Sequence, residues 1–328
     1  MKLDDIGFPA ITEERAKTAS TTSRLQRCEL IATDACNLKC TYCKGLSSKY
    51  GTTISKNNAE HIISGWIDHG LQHASFSGGE PMCSPYIETF VKMLSDGGVP
   101  FISLSTNGTF PVEKYAKLIE LGATHFSISI DGRNPYIADK MAGVDGAWKK
   151  VVKSITYLSQ HSYVTASTVF NKDNVDDSAN IIKFIHSLGV ADIRFSSATQ
   201  FNRLIPALEL VPEDILKVHP ILRFRIGNIL KGINMRGISP KRCWLPLDDM
   251  VVSNTLHFPC TMQMREGGCH IGSIIGEGGS IKTMKEIRNE RGAWCKSHDC
   301  FKDSICNKYC MDFIIAYNKT VEKNKQQS

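Results

Sequence analysis

The residues best suited to chemistry in this 328-residue chain are three closely spaced cysteines. Cys36, Cys40 and Cys43 form the pattern CxxxCxxC within DACNLKCTYCKG. Three thiolates on so short a segment can converge on one metal site, but a structural zinc takes four ligands and no fourth lies nearby in the sequence. An iron–sulfur cluster held by three cysteines keeps one iron free to bind a cofactor or substrate. The triplet therefore favours a cluster with an open iron.

A second set of cysteines lies in the C-terminal region. The chain has twelve cysteines, and seven of them follow residue 240. The N-terminus MKLDDIGFPA has no continuous apolar stretch and so does not indicate secretion, and clustered cysteines in a cytosolic protein are interpreted first as metal or cluster ligands. Zinc is the alternative to a cluster, since thiolate sets of this kind also bind zinc. The seven are Cys243, Cys260, Cys269, Cys295, Cys300, Cys306 and Cys310.

Polar residues and glycines recur where the predicted strands end. The segment HASFSGGEPM places Gly78, Gly79, Glu80 and Pro81 in a turn, where glycine lets the backbone approach a ligand without a Cβ in the way. Asp131 ends a later strand, where it can contact substrate or accept a proton. Parallel βα units collect their binding groups at these ends, so we predict a ligand site there. The other polar candidates, for which turn formation or a structural surface role is the alternative, are Ser105, Asn107, Ser129 and Arg194.

Short apolar or β-branched runs alternate with longer segments of helical periodicity from Cys28 onward, the pattern of βα units that build a parallel sheet. Between the runs, apolar residues recur at spacings of three and four, as in Ile62, Ile63 and Trp66. Six such units are too few for a closed eight-stranded barrel. The sequence therefore predicts an α/β protein with a partial (β/α)6 barrel of the TIM type. The predicted strands are Cys28–Asp34, His73–Ser77, Phe101–Thr106, Thr124–Asp131, Ser162–Phe170 and Asp192–Ser197.

The helical periodicity fails after about residue 200, where prolines divide the chain into short segments. We predict an N-terminal extension over 1–27, the partial barrel over 28–212 and a small cysteine-rich domain over 213–328. The last domain has few long apolar runs, so we expect metal sites to hold it together.

With 42% hydrophobic and 22% charged residues and a net charge of +6, the chain is neither collagenous nor disordered, and no partner is identified by composition. No window approaches 18 apolar residues, so no membrane span is expected.

The motifs resemble those of the radical S-adenosylmethionine (radical SAM) superfamily, over about residues 28–310. The resemblance implies that Cys36, Cys40 and Cys43 hold a [4Fe–4S] cluster that binds S-adenosylmethionine (SAM). It also implies that Glu80 and the backbone around it hold the amino group of the methionine moiety. The residues that the resemblance assigns to SAM binding are Tyr42, Gly78, Gly79, Glu80, Pro81, Ser105, Asn107 and Ser129.

The C-terminal cysteines resemble the auxiliary-cluster extensions called SPASM and twitch domains. The resemblance is incomplete, because Thr255 stands where the motif has glycine and no cysteine follows Cys310. Two assignments stay open: either two auxiliary [4Fe–4S] clusters form, or only one forms and some thiols are free. The two-cluster assignment gives the first cluster to Cys243, Cys260, Cys269 and Cys310, and the second to Cys295, Cys300 and Cys306 with a ligand that is not cysteine, such as His270, His298 or Asp299.

The resemblance implies an enzyme that reductively cleaves SAM to a 5′-deoxyadenosyl radical and abstracts hydrogen from a substrate carbon. The leading substrate is a peptide or protein that is oxidatively modified. The alternative is dehydrogenation or epimerisation of a small molecule such as an aminocyclitol, sugar or nucleoside. An epimerase needs a thiol that returns a hydrogen atom, and Cys83 or Cys269 is the candidate, with a filler role as the simpler interpretation of Cys83 and of Cys28. A non-enzymatic iron–sulfur or zinc binding module ranks third.

The expected partners follow from this chemistry. A flavodoxin- or ferredoxin-type protein is the expected electron donor, and a cytoplasmic location is expected. Neither a membrane nor nucleic acid is an expected partner, because the basic residues are spread along the chain.

Overall fold

A computed structural model describes residues 2–43, 53–198, 201–233, 236–237 and 240–327. The chain divides into two compact units, each built from more than one segment of the sequence. None of the helices among the described residues is long and apolar enough to cross a membrane. The first unit comprises Met1–Ala35, Lys44–Ile102 and Arg236–Ser328, and the second comprises Cys36–Cys43 and Ser103–Met235.

Strands and helices alternate through the first two thirds of the chain, as an α/β protein requires. The strands are β1 (Arg27–Thr33), β2 (His73–Gly78), β3 (Phe101–Thr106), β4 (His125–Ser129), β5 (Tyr163–Phe170), β6 (Asp192–Ser197), β7 (Arg236–Gly237), β8 (Asp249–Ser253), β9 (Leu256–Phe258), β10 (Gly272–Ser273) and β11 (Cys310–Met311). The helices are α1 (Glu13–Thr18), α2 (Lys56–Asp68), α3 (Ile87–Asp96), α4 (Val112–Glu120), α5 (Pro135–Ala142), α6 (Ala147–His161), α7 (Ser178–Ser187), α8 (Phe201–Leu208), α9 (Glu213–Val218), α10 (Pro220–Leu230), α11 (Thr261–Arg265), α12 (Met284–Ser297), α13 (Ser304–Tyr309) and α14 (Asp312–Gln327).

The six strands expected from the sequence are present as β1 to β6, so the α/β class is confirmed. The largest difference is at β4, which spans His125–Ser129 because Ile130 and Asp131 already leave the strand. After residue 200 the chain forms the short helices α8, α9 and α10, with prolines within or at the start of each. Pro220 stands at the first position of α10, where a missing N–H removes no helical hydrogen bond.

The second unit contains β3, β4, β5 and β6 in that order, all parallel. Helices pack against these strands, with α6 against β4 and β5 and α10 against β6. In β5 the residues at alternate positions from Val164 to Phe170 are buried. The carboxyl ends of these strands carry the polar residues that the sequence singles out.

The first unit contains the strand order β10-β9-β8-β1-β2. Strand β8 pairs in parallel with β1, with Arg27 opposite Asp249, although the two are more than two hundred residues apart. The sequence does not predict β8, because its five residues form a short buried run in a proline-rich region. The C-terminal region therefore adds strands to the sheet of this unit.

The N-terminal segment of the first unit is held by a buried ion-pair network. Arg15 on α1 is 2% exposed, and its Nη2 lies 2.7 Å from Asp248 Oδ1 and 3.6 Å from Asp249 Oδ2. Arg27 Nη2 lies 2.9 Å from the same Asp249 Oδ2. The Arg15 guanidinium also lies 4.9 Å from the centroid of the Tyr317 ring. These contacts join α1 to the residues that precede β8 and to α14.

Candidate functional site

The three cysteines of the triplet lie on the loop that follows β1. Cys36 and Cys43 are exposed, and Cys40 is partly buried. Burial, then the Asp131 carboxylate and the neighbouring Cys43 and Cys36 thiols, raise the pKa of Cys40 to about 11. A bound cation or cluster takes cysteines as thiolates, and three thiols on one loop form a soft donor set, so this loop fits an iron–sulfur cluster.

The backbone of the cysteine loop is anchored on the end of α5. The Lys39 N–H donates to the Ala142 carbonyl and the Thr41 N–H donates to the Met141 carbonyl, each over 3.0 Å. Gly143 has a φ of +67°, and a Cβ there would meet the Lys39 carbonyl oxygen. The end of α5 and Gly143 therefore hold the backbone of the loop in place on both sides of Cys40. No local sequence pattern predicts this contact between the loop and α5.

Tyr42 and Asp131 tie the same loop to the end of β4. The Tyr42 hydroxyl donates to Asp131 Oδ2, and the Val169 N–H donates to Asp131 Oδ1 over 2.8 Å. Asp131 is 8% exposed, and its burial, only partly opposed by these hydrogen bonds, raises its pKa to about 6. Asn174 Nδ2 donates to the Asp131 carbonyl over 2.8 Å. The Asp131 carboxylate thus positions the loop, while contact with substrate remains a prediction.

A network of three polar side chains fixes the start of the loop. Asn107 Nδ2 donates to Asn37 Oδ1 over 2.8 Å, and Asn37 Nδ2 donates to Thr109 Oγ1 over 2.8 Å. Thr109 Oγ1 donates to Asn107 Oδ1 over 2.7 Å, and Asn107 Nδ2 lies 3.9 Å from Cys36 Sγ. Asn107 is therefore next to the triplet. Asn37 and Thr109 are new to the site, and the position of Asn37 beside Cys36 is the only sequence signal that pointed to them.

Serines and one arginine line the same face of β3 to β6. Ser105 lies opposite Ser127, and Ser129 lies opposite Ser167, which in turn lies opposite Arg194. The Arg194 Nη2 donates to Ser127 Oγ over 2.9 Å, and its Nε donates to Ser167 Oγ over 3.4 Å. This face can bind a polar or anionic group.

The glycines of the turn after β2 pack against backbone. Gly78 has a φ of +146°, and a Cβ on Gly78 or Gly79 would meet the carbonyl oxygens of residues 33–35. The Gly79 N–H donates to the Thr33 carbonyl and the Glu80 N–H donates to the Ala35 carbonyl, each over 2.8 Å. The glycines are thus needed for close approach to the end of β1, rather than only for approach to a ligand.

Glu80 precedes and Cys83 ends the short 3-10 helix Pro81–Cys83. Glu80 is 1% exposed, and its Oε1 accepts the Met82 N–H over 3.1 Å at the start of that helix. Cys83 is partly exposed at its end. Glu80 therefore caps a helix in this structure, and its role toward a methionine amino group stays a prediction, as does that of Cys83 as a hydrogen donor.

Five cysteines line a cavity in the C-terminal part of the first unit. The cavity is open to solvent, and its empty volume, including the solvent at its opening, is about 440 Å³. Burial, then nearby thiols, raise the pKa of Cys243 well above its ordinary value, and burial raises the pKa of Cys260 to about 12. Thiols gathered in a cavity that also contains Trp294 and Ile314 form a soft donor set for iron or zinc. The five are Cys243, Cys260, Cys300, Cys306 and Cys310.

Three other cysteines lie outside the cavity wall. Cys295 is fully buried on α12, and Cys269 is exposed, with its N–H donating to Gln263 Oε1 over 3.2 Å. Cys28 is fully buried in β1, as expected of a small buried side chain. The structure thus brings five of the seven C-terminal cysteines into one cavity wall, with Cys295 buried close enough to Cys243 to raise its pKa and Cys269 exposed.

The three candidates for a non-cysteine ligand differ in position. His298 Nε2 lies 3.7 Å from Cys306 Sγ. The His270 ring instead lies 6.3 Å from the Phe258 ring, centroid to centroid, and Asp299 Oδ1 accepts the Phe301 N–H over 3.0 Å. Of the three, His298 is the one placed beside the cavity cysteines.

Comparison with known proteins identifies the part of the chain that holds the triplet. Residues 30–185 match the family model described as "Radical SAM superfamily". An AdoMet-dependent heme synthase of Methanosarcina barkeri is 29% identical over 161 residues, or 48% of this chain and 46% of that protein. A probable GTP 3′,8-cyclase of Methanococcus maripaludis strain C5 is 33% identical over 129 residues, or 38% of this chain and 43% of that protein. The chain thus spans less than half the length of these relatives.

Solved structures resemble a larger part of the chain. The structure titled "Native anSMEcpe with bound AdoMet" has a TM-score of 0.63 at 17% identity and covers 92% of this chain and 97% of that one. Streptococcus suis SuiB has a TM-score of 0.57 at 15% identity and covers 84% of this chain and 66% of that one. At these identities the likeness concerns the fold, and it supports the partial-barrel architecture. Residues 30–185 thus match the radical SAM superfamily model, and the likeness to the solved structures is a likeness of fold.

Proposed function

We propose that the protein is a radical SAM enzyme whose chemistry starts at the cysteine loop. The observation that carries the proposal is the triplet Cys36, Cys40 and Cys43, held on a fixed loop within the residues that match the family model. When bound, a [4Fe–4S] cluster with one open iron supplies the electron that cleaves SAM to methionine and a 5′-deoxyadenosyl radical. The protein contributes the ligands, the position of the substrate carbon and the exclusion of water.

The side chains around the loop have distinct tasks in this proposal. The three cysteines bind the cluster, and Asn107 and Asp131 hold the loop through Asn37 and Tyr42. A cluster bound at exposed sulfurs depends on such fixed backbone for its orientation, because its ligands alone can rotate. The residues proposed to bind SAM are Tyr42, Gly78, Gly79, Glu80, Pro81, Ser105, Asn107 and Ser129.

We propose that the cysteine cavity holds an auxiliary iron–sulfur cluster. Cys243, Cys260 and Cys310 lie in its wall, and their raised pKa values reflect thiols that are close together and shielded from water. A cluster held there would supply an acceptor for the second electron of an oxidation or a binding site for the substrate. A flavodoxin- or ferredoxin-type donor is proposed to supply the first electron.

The proposed substrate is a peptide or protein that is oxidatively modified. Support comes from the extent of the fold similarity, which covers 93% of the chain, whereas the heme synthase and cyclase relatives match 48% and 38% of it. The similar structures include anSMEcpe with a bound Cp18Cys peptide and SuiB bound to its precursor peptide SuiA. The second candidate is a small molecule, favoured by the names of the two sequence relatives.

The test is reductive SAM cleavage by the anaerobically reconstituted protein, measured as 5′-deoxyadenosine formed with dithionite. The wild type should form it, and the variant with Cys36, Cys40 and Cys43 replaced by Ala should form none while it keeps its auxiliary iron. A control variant replaces three exposed lysines of α6, Lys149, Lys150 and Lys153, by Ala and should cleave SAM normally. Cleavage by the cysteine variant, or none by the wild type, would contradict the proposal.

The substrate class is tested separately. Cleavage should accelerate in the presence of the cognate short peptide, and a mass change should appear in that peptide. Acceleration by a sugar, nucleoside or tetrapyrrole instead would move the protein to the small-molecule class.

A further inference from the structure

A histidine and two cysteines of the cavity region lie closer together than the thiols of the triplet. His298 Nε2, Cys300 Sγ and Cys306 Sγ lie within 4.8 Å of one another. Among the described residues, no other group of three histidine, cysteine, aspartate or glutamate ligand atoms meets this spacing. The sulfurs of the triplet at 36, 40 and 43 are therefore further apart.

This spacing distinguishes one ion from a cluster. The cysteines of a [4Fe–4S] cluster bind different irons, so their sulfurs are separated by the width of the cluster. A tetrahedral zinc site with ordinary bond lengths separates a nitrogen and a sulfur ligand by roughly 3.6 Å. The distance from His298 Nε2 to Cys306 Sγ is 3.7 Å. The three atoms thus have the spacing of ligands that share a single ion.

The two cysteines are fixed by backbone contacts. Cys300 is 1% exposed, and its N–H donates to the Lys241 carbonyl over 3.0 Å. Asp303 Oδ1 accepts the N–H groups of Ile305 and Cys306 over 2.9 and 2.7 Å, which caps α13 and sets the position of Cys306. Cys300 and Cys306 are therefore held in position before an ion binds.

The histidine is fixed as well. Its ring stacks on Trp294 with 4.0 Å between centroids and 15° between planes. The Arg242 Nη1 donates to the His298 carbonyl over 2.5 Å. The stacked ring directs Nε2 toward Cys306, so the imidazole is oriented as a ligand without needing to change its position.

The surroundings favour a cation and thiolate ligands. Asp303 Oδ2 lies 3.5 Å from His298 Nε2, and a carboxylate beside an ion adds charge attraction. Gln263 Nε2 donates to Cys306 Sγ over 3.1 Å, which stabilises a thiolate more than a thiol. Gln263 also donates to Asp303 Oδ1 over 2.9 Å. The Gln263 amide therefore connects the Cys306 thiol to the Asp303 carboxylate, which holds the Cys306 backbone.

We propose that His298, Cys300 and Cys306 bind one zinc-type divalent ion, with water at the fourth position. Binding releases the two thiol protons to solvent, and no oxidant or reductant is needed. The cavity wall then leaves Cys243, Cys260 and Cys310 for the proposed auxiliary cluster. This site does not depend on SAM cleavage, so the variant without the triplet should keep the ion.

The experiment measures zinc and iron in the full-length protein purified anaerobically. The wild type should contain about one zinc per chain in addition to iron, and His298→Ala should lower the zinc content at least tenfold with iron unchanged. The matched control is His161→Ala, because His161 is also a histidine at a helix end stacked on an aromatic ring four residues earlier, at 4.2 Å from Tyr157. This control should keep its zinc.

A second variant covers the case in which His298→Ala does not fold. His298→Cys provides a third thiolate, so protein made in cobalt-supplemented medium should show about 1.5-fold stronger thiolate-to-cobalt absorption than the wild type. Wild type without zinc, zinc retained in His298→Ala, iron lost together with the histidine, or an unchanged cobalt spectrum in His298→Cys would each overturn the proposal.

Discussion

The cysteine loop of the second unit and the cysteine cavity of the first unit use the same side chain in opposite settings. In the loop, Cys36 and Cys43 are exposed and the backbone is fixed from outside by α5. In the cavity, Cys300 is buried and the other four cysteines are partly buried among apolar side chains. From this difference we expect the loop to keep its shape without a bound metal, whereas the shape of the cavity should depend on what its thiols bind.

The largest expected effects separate these two settings. Replacing the triplet by Ala should abolish SAM cleavage but change the melting temperature by no more than about 2 °C, since two of the three side chains are exposed. Cys260→Ser should instead lower the free energy of unfolding by about 3 kcal/mol, because it removes a ligand from the cavity. Thermal and urea unfolding measure both. If Cys260→Ser is as stable as the wild type, the stability of the cavity does not depend on its thiols.

The next largest effect concerns the attachment of the loop to β4. Tyr42→Phe leaves the buried Asp131 carboxylate with one donor fewer, which should cost about 1.5–3 kcal/mol of stability and lower the iron retained by the loop. Urea unfolding and iron analysis after gel filtration measure these losses. Tyr136→Phe, at a residue that is 81% exposed, is the control and should match the wild type. If Tyr42→Phe keeps the stability and iron content of Tyr136→Phe, Asp131 does not position the loop.

A smaller effect is expected at the start of the loop. Asn107→Ala removes the hydrogen bonds to Asn37 and Thr109, and the rate of 5′-deoxyadenosine formation should fall about tenfold, the equivalent of about 1.4 kcal/mol. Asn180→Ala removes one exposed hydrogen bond, to Asp177, and serves as the matched control. If both variants keep the wild-type rate, the loop is positioned by α5 and Tyr42 alone.

The smallest effect is a pH dependence that belongs to the first unit. His257 accepts from Arg291 Nη1 at Nδ1 over 3.2 Å and donates to Glu290 Oε2 at Nε2 over 3.1 Å. Burial, together with the positive charges of Arg291 and Lys282, lowers the pKa of His257 to about 2. Since the unfolded chain binds this proton below about pH 6.5 and the folded chain does not, stability is full above that pH and falls as the pH falls.

The expected loss between pH 7.5 and 6.0 is about 0.8 kcal/mol, measured by urea unfolding at both pH values. His257→Gln should remove this part of the slope. A variant with the same pH dependence as the wild type would assign the slope to other groups.

The sequence predicts the fold and the site unequally. Short motifs such as the triplet and the Gly78–Pro81 turn are visible because their chemistry depends on residue type and local spacing. The support for the loop is not visible, because Asn107 and Gly143 reach it through long-range contacts that no local pattern encodes. Strand β8 was missed for the same reason, since five buried residues indicate a strand only once β1 lies beside them.

The cysteine cavity could be predicted from the sequence only in part. Counting thiols predicts a metal-binding region there, yet spacing along the chain cannot decide which thiols share a site. His298 was one of three candidates in the sequence, and only its distance to Cys306 separates it from His270 and Asp299. Ligand identity there depends on side-chain direction, which periodicity does not specify.

The ion pair between Arg15 and Asp248 has a consequence for the order of synthesis. The two residues are 233 positions apart, so at about 5–20 residues per second the ribosome makes the cation roughly 10–50 s before its carboxylate. During that interval α1 has no buried partner, and β1 lacks β8 on one edge. The second unit, in contrast, has all four of its strands before residue 200. The nascent chain can therefore complete the second unit first, while β1 stays exposed to chaperones until the C-terminal strands emerge.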